Sequence, residues 1–161
     1  MKSYVPITHM YTDESGHTRF KKKKLPLEPK TGLGSVGSFS SLFVNQILDD
    51  NSGDIKMQFA VTPVPKKIDG EGPKLAHTAP RRQLVITLEG ILEFKSCDID
   101  ILDMERQTII TKGQILLADD LVGAGHVWSF LKNKDGKMLP WVICYLHLGE
   151  EYEHFISRLE G

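Results

Sequence analysis

The stretch "HTAPRRQLVITLEG", His77–Gly90, opens with a histidine, two arginines and a glutamine, then alternates and stops at Glu89-Gly90. Successive side chains of an extended chain point to opposite faces. Arg81, Gln83, Val85 and Thr87 therefore share one face, and Arg82, Leu84, Ile86 and Leu88 the other. Both faces are mostly apolar, so the segment is expected to be a strand buried on both sides, one face lining a cavity and the other covered. Buried Arg and Gln need partners for their donors. At a cavity mouth those donors suit a carboxylate, a phosphate or a sugar hydroxyl. The plainer alternative makes Arg81 and Arg82 structural partners of Asp119 or Asp120.

Around this strand the punctuation is dense. "DDNSGD", "KKIDGEGPK", "TKG", "VGAGH" and "NKDGK" separate short runs such as "KMQFAVTPV" (56–64), "RQTIIT" (106–111), "HVWSF" (126–130) and "LPWVICYLHL" (139–148). Short strands with turn signals at intervals of roughly 8–12 residues predict an all-β sandwich or barrel. A helix is expected only at the C-terminus, 150–160, where Tyr152, Phe155, Ile156 and Leu159 form an apolar stripe. We expect one domain: an N-terminal arm with edge strands over 1–48, a core over 54–148 and the helix on its outside. Pro26 and Pro29 keep the first segment from a sheet centre. A further strand is expected at about 39–48.

The 161 residues suffice for one domain with a sizeable core. A net charge of −1 argues against nucleic acid and anionic membranes as partners. The basic run Lys21–Lys24 reads as a solvated strand end or loop. Cys97 and Cys144 form no C-x-x-C and are expected to be buried free thiols. No secretory leader and no apolar stretch of membrane-spanning length is visible, so a cytoplasmic location is expected.

A second polar cluster is "KGQILLADDLVGAGHVW", 112–128, with two aspartates and a glycine-rich loop before His126. His126, Trp128 and Phe130 share a face, and Trp128 reads as a cavity wall. His147 shares a face with Tyr145 and Ile143 and is expected to pack in the core or an interface, with the pocket wall as the alternative, whereas His9, His17 and His154 are expected at the surface.

Together the two clusters resemble the paired motifs of the cupin superfamily. In the first motif, G-x5-H-x-H-x3-4-E-x6-G, Gly90 takes the final glycine, Gln83 the glutamate, His77 the first histidine and Ala79 the second. Gly72 lies close to the opening glycine. In the second, G-x5-P-x-G-x2-H-x3-N, Gly113 matches the start, Asp119 stands for proline, His126 falls two residues late and Phe130 replaces asparagine. The chain is most similar to small cupins with H-x-A-P-R-R-Q and L-L-x-[DE]-D-x-x-G-x-G-H segments, over about residues 70–148.

The resemblance implies an all-β double-stranded β-helix, the cupin jelly-roll barrel, with a short C-terminal helix. It implies a pocket that takes a small polar or anionic ligand through His77, Arg81, Gln83, Asp119, His126 and Trp128. The residues fix no cofactor. The family's divalent metal (Fe, Mn, Ni or Zn) would be held by His77, Gln83 and His126, a set lacking one imidazole and the anionic carboxylate that such ions select for. Asp119 or Asp120 is the candidate replacement carboxylate. The alternative function is a metal-dependent oxygenase or isomerase with His77 and His126 as ligands and Arg81 positioning substrate. A third, a sugar-nucleotide epimerase, needs a His–Asp acid/base pair that the sequence alone does not place. A homodimer is expected, because Leu84, Ile86 and Leu88 need an external cover and the N-terminal segment, with Phe20, Leu25, Leu27, Phe39, Leu42 and Phe43, has apolar groups to supply it.

Overall fold

The computed structural model describes residues 4–30, 34–37, 57–65, 76–97, 104–149 and 152–161. The expected strand at 39–48, the segment around Gly72, and Phe39, Leu42 and Phe43 lie outside these residues.

The alternating run breaks where its last glycine stands. Gln83–Glu89 and Ile91–Ser96 are separate strands on either side of Gly90. Gly90 has φ of +104°, and a Cβ there would meet the Pro140 carbonyl oxygen at 3.0 Å and Trp141 Cα at 3.2 Å. Only glycine combines that backbone with that approach. The chain can therefore leave one sheet and enter the other within a single residue.

Among the described residues ten strands result: β1 (Tyr4–Thr12), β2 (Thr18–Lys30), β3 (Gly34–Gly37), β4 (Met57–Thr62), β5 (Gln83–Glu89), β6 (Ile91–Ser96), β7 (Gln107–Thr111), β8 (Ile115–Asp119), β9 (His126–Phe130) and β10 (Trp141–His147). They form a seven-stranded sheet, β3-β2-β1-β8-β5-β10-β4, and a three-stranded sheet, β7-β6-β9. The all-β expectation is met. The architecture among the described residues is two sheets and not a closed barrel.

Residues 4–30, expected as part of an N-terminal arm with edge strands, belong to the large sheet. β1 lies inside the large sheet, antiparallel to β2 and parallel to β8, with Ile7 opposite Ile115. Lys21–Lys24 sit within β2, where Lys22 pairs with Thr8. Pro26 marks the end of pairing with β1, and among the described residues β3 pairs with Leu27–Lys30 and Glu160 bridges Lys24, so most of β2 is an edge, as its prolines demand.

The middle strands of the large sheet, β1, β8, β5 and β10, are covered on both faces. Met10, Val85, Leu116, Trp141 and Ile143 pack inward with Leu92, Phe94 and Ile110 of the small sheet. On the outer face Ile7, Leu25, Leu84 and Leu117 pack with Leu148 and with Tyr152 and Phe155 of the C-terminal helix, Tyr152–Ile156. The chain end then returns to the sheet, with mutual backbone hydrogen bonds of 2.9 Å between Lys24 and Glu160. Thus the cover over Leu84, expected from an N-terminal arm or a partner, comes from the chain's own C-terminal helix. At Leu84 the reason for a dimer falls away. Leu88 remains 39% exposed.

Candidate functional site

A cavity of about 500 Å³ lies between the sheets. Its wall is sorted by strand register. His147 at the end of β10 pairs with Gln83 at the start of β5, and Gln83 pairs with Ala118 of β8. One level further along, Tyr145 pairs with Val85, and Val85 with Leu116. On the opposite sheet Ser96 pairs with His126 and Phe94 with Trp128. The polar residues Gln83, His126 and His147 therefore come from strand ends at one end of the cavity. Trp128 and Trp141, with ring centroids 5.2 Å apart, wall the other.

His77 is brought to this polar end by the backbone. Its N–H donates to the His126 carbonyl at 3.1 Å and its carbonyl accepts from the His126 N–H at 2.9 Å. The approach depends on Gly125, where a Cβ would sit 2.5 Å from the His77 carbonyl oxygen and φ is +74°. The two imidazole centroids lie 4.5 Å apart.

Behind His126 stands Asp120, with no exposed surface. His126 Nδ1 lies 2.7 Å from Asp120 Oδ2. The same carboxylate accepts from Thr18 Oγ1 at 3.1 Å, and its other oxygen from the Ala79 N–H at 3.3 Å. A carboxylate on Nδ1 fixes that nitrogen as the donor and leaves Nε2 as the ring atom presented to the cavity. Arg81 lies exposed at the mouth, with Nη1 3.4 Å from His147 Nδ1.

Of the six ligand-binding candidates, the structure brings His77, Arg81, Gln83, His126 and Trp128 to one cavity. Asp119 does not line it. It faces the outer side, where Arg82 Nε donates to it at 2.9 Å, His9 Nε2 lies at 3.3 Å and the Tyr152 hydroxyl also donates. Burial acts to raise the Asp119 carboxyl, but hydrogen bonds from His9, Tyr152 and Arg82 outweigh it and hold the group below the usual carboxylate range. Burial and the bond to Asp119 push the Tyr152 phenol up. The Arg82 guanidinium stacks 4.1 Å over the Tyr152 ring. Arg82 is thus the structural arginine, tying the helix to the sheet, and Arg81 the cavity arginine.

Sequence reasoning offered Asp120, interchangeably with Asp119, as an arginine's partner or a replacement metal ligand and missed it as the partner of His126. Leu116 and Ala118 face inward and Leu117 outward, so alternation sends Asp119 out and Asp120 in. His147 and Tyr145 line the cavity, whereas core or interface packing was expected of His147. His9, expected at the surface, is buried against Asp119.

The donors bear directly on a divalent metal. Gln83 supplies a neutral amide, both Asp120 oxygens are engaged behind His126, and no carboxylate is found among the described residues lining the cavity. Among the described residues no three His, Cys, Asp or Glu side chains form a metal-holding group. The three imidazoles of the cavity, His77, His126 and His147, do not gather into one ligand group, and an amide and a guanidinium beside them do not fit a tightly held dication. Compared with known proteins, the chain matches no family model and no curated protein.

Proposed function

We propose that the chain is a cupin-type jelly-roll protein that binds a small polar or anionic molecule in the cavity between its sheets. One observation carries this reading: Arg81, a permanent cation, lines a cavity in whose described wall no carboxylate stands. A cation left without an anion in a partly enclosed site favours an anionic ligand. Gln83, 7% exposed, adds an amide that can donate and accept beside it. Cys97, half-buried, and Cys144, buried, form no disulfide with each other, which suits the proposed cytoplasm. Among the described residues no helix is long and apolar enough to cross a membrane.

Thermal unfolding with a panel of small carboxylates, phosphates and sugars tests the reading. A ligand at about a hundred times its Kd adds about 2.7 kcal/mol to stability. The shift should vanish in Arg81→Gln. A panel that shifts neither protein would defeat the proposal.

A second reading has its own observation, the His126–Asp120 pair. A histidine held by a buried carboxylate, with Nε2 toward a ligand cavity, is equipped to accept a proton from a bound molecule and return it. This is the acid/base pair that an epimerase or isomerase without metal requires. Solvent deuterium exchange into ketones and keto-sugars, followed by proton NMR, tests it. His126→Gln should abolish exchange and leave binding intact.

A further inference from the structure

We propose that the ligand is an aromatic monocarboxylate, its carboxylate on Arg81 and its ring against Trp128 and Trp141. The proposal rests on the binding reading above and narrows it. The cavity is segregated along the strands, with Gln83, His126 and His147 at one end and the two indoles at the other. A ligand that matches both ends has a polar head and an apolar body.

The head follows from the charge at the polar end. Arg81 is the one permanent cation among the described lining residues. A guanidinium matches a planar carboxylate with two parallel N–H donors. The contact of Arg81 Nη1 with His147 Nδ1 at 3.4 Å orients that fork, and His147 is itself nine-tenths buried. A phosphate dianion would bring a second charge for which this wall supplies no permanent cation. A neutral head would forgo the charge-assisted pair of hydrogen bonds that the guanidinium offers.

The body follows from the aromatic end. Trp128 and Trp141 are inclined at 61°, and Phe94 meets Trp141 edge-on at 5.8 Å. Val85 and Leu116 line the wall between the two ends, and Thr62, paired with Trp141, adds one hydroxyl at the aromatic end. A further flat ring prefers the same offset and edge contacts that these aromatic groups already make with one another.

The chain's two tryptophans both line this cavity, so its intrinsic emission reports on this site. The probes are phenylacetate, acetate, benzyl alcohol, phenyl phosphate, inorganic phosphate and glucose, titrated into the full chain. Phenylacetate should perturb emission saturably and bind at least about tenfold tighter than acetate, benzyl alcohol or phenyl phosphate, a gap of about 1.4 kcal/mol. Arg81→Gln, a change at an exposed position, should weaken phenylacetate about tenfold and leave benzyl alcohol unchanged. Trp128→Leu should weaken phenylacetate and leave acetate unchanged, read from Trp141 emission. Acetate binding as tightly as phenylacetate would overturn the aromatic body, and benzyl alcohol doing so would overturn the carboxylate head. Tighter phenyl phosphate would assign a phosphate. In these three cases the binding reading survives. No response to any probe, by emission or by thermal shift, would overturn both.

Discussion

Asp120 Oδ2 lies 2.7 Å from His126 Nδ1, and the carboxylate that makes this contact is fully buried. Asp120 thereby serves three donors: the His126 ring, the Thr18 hydroxyl and the Ala79 N–H. Asp120→Ala would strand the His126 ring and the Thr18 hydroxyl, while the Ala79 N–H keeps its 3.1 Å bond to the residue-120 carbonyl, at a cost of about 2–4 kcal/mol. Asp120→Asn keeps an acceptor and should cost less, about 1–2 kcal/mol. Urea unfolding measures both. Long-range proton–nitrogen NMR should show His126 protonated on Nδ1 in the wild type, and an Nε2–H ring would sink the assignment.

Gly125 and Gly136 share a left-handed backbone, φ +74° and +75°, but differ in surroundings. A Cβ at Gly136 meets nothing within 4 Å, whereas at Gly125 it meets the His77 carbonyl oxygen at 2.5 Å. Gly136→Ala should cost only the conformational strain, about 1–2 kcal/mol. Gly125→Ala should cost more and should open the His77–His126 bridge. Hydrogen exchange at the His77 and His126 amides reads the bridge directly. Equal costs and unchanged exchange would mean the close approach carries no weight.

The Asp119 cluster predicts an acid-labile anchor for the C-terminal helix. The folded-state carboxyl lies below its ordinary value of 3.8, so the folded protein binds this proton less readily than the unfolded chain. Its contribution is therefore present above that value and is lost as pH falls through the lower folded one. The stability advantage of wild type over Asp119→Asn should hold at pH 6 and shrink below about pH 4. A constant difference across that range would remove Asp119 from the account.

For metal, the wild type is expected to bind nickel or manganese weakly. Gln83→Glu introduces an anionic donor beside His77 and His126 and should tighten binding by about tenfold or more. Adding Ala79→His, in the same cavity wall, should tighten it further. Calorimetric titration of the three proteins decides this. Equal affinities would show that these positions do not share a metal site.

Much of the architecture is local and could be read from residue order. The two-faced burial of β5, the break at Gly90, the strands at 126–130 and near the C-terminus, and the apolar stripe under Tyr152 and Phe155 follow from backbone periodicities of two and 3.6. So did the two polar clusters whose histidines meet. The parity of β8 also held the separation of Asp119 from Asp120, but which face was the interior became evident only from what each face packs against. Tertiary structure alone decided that β1 inserts beside β8 in parallel, that the C-terminal helix covers Leu84, and that His147 enters the cavity opposite Arg81. These pairings join segments up to a hundred residues apart or more, such as His9 with Asp119. No local period encodes them, because their free energy comes from burying surfaces that each segment exposes until the others arrive.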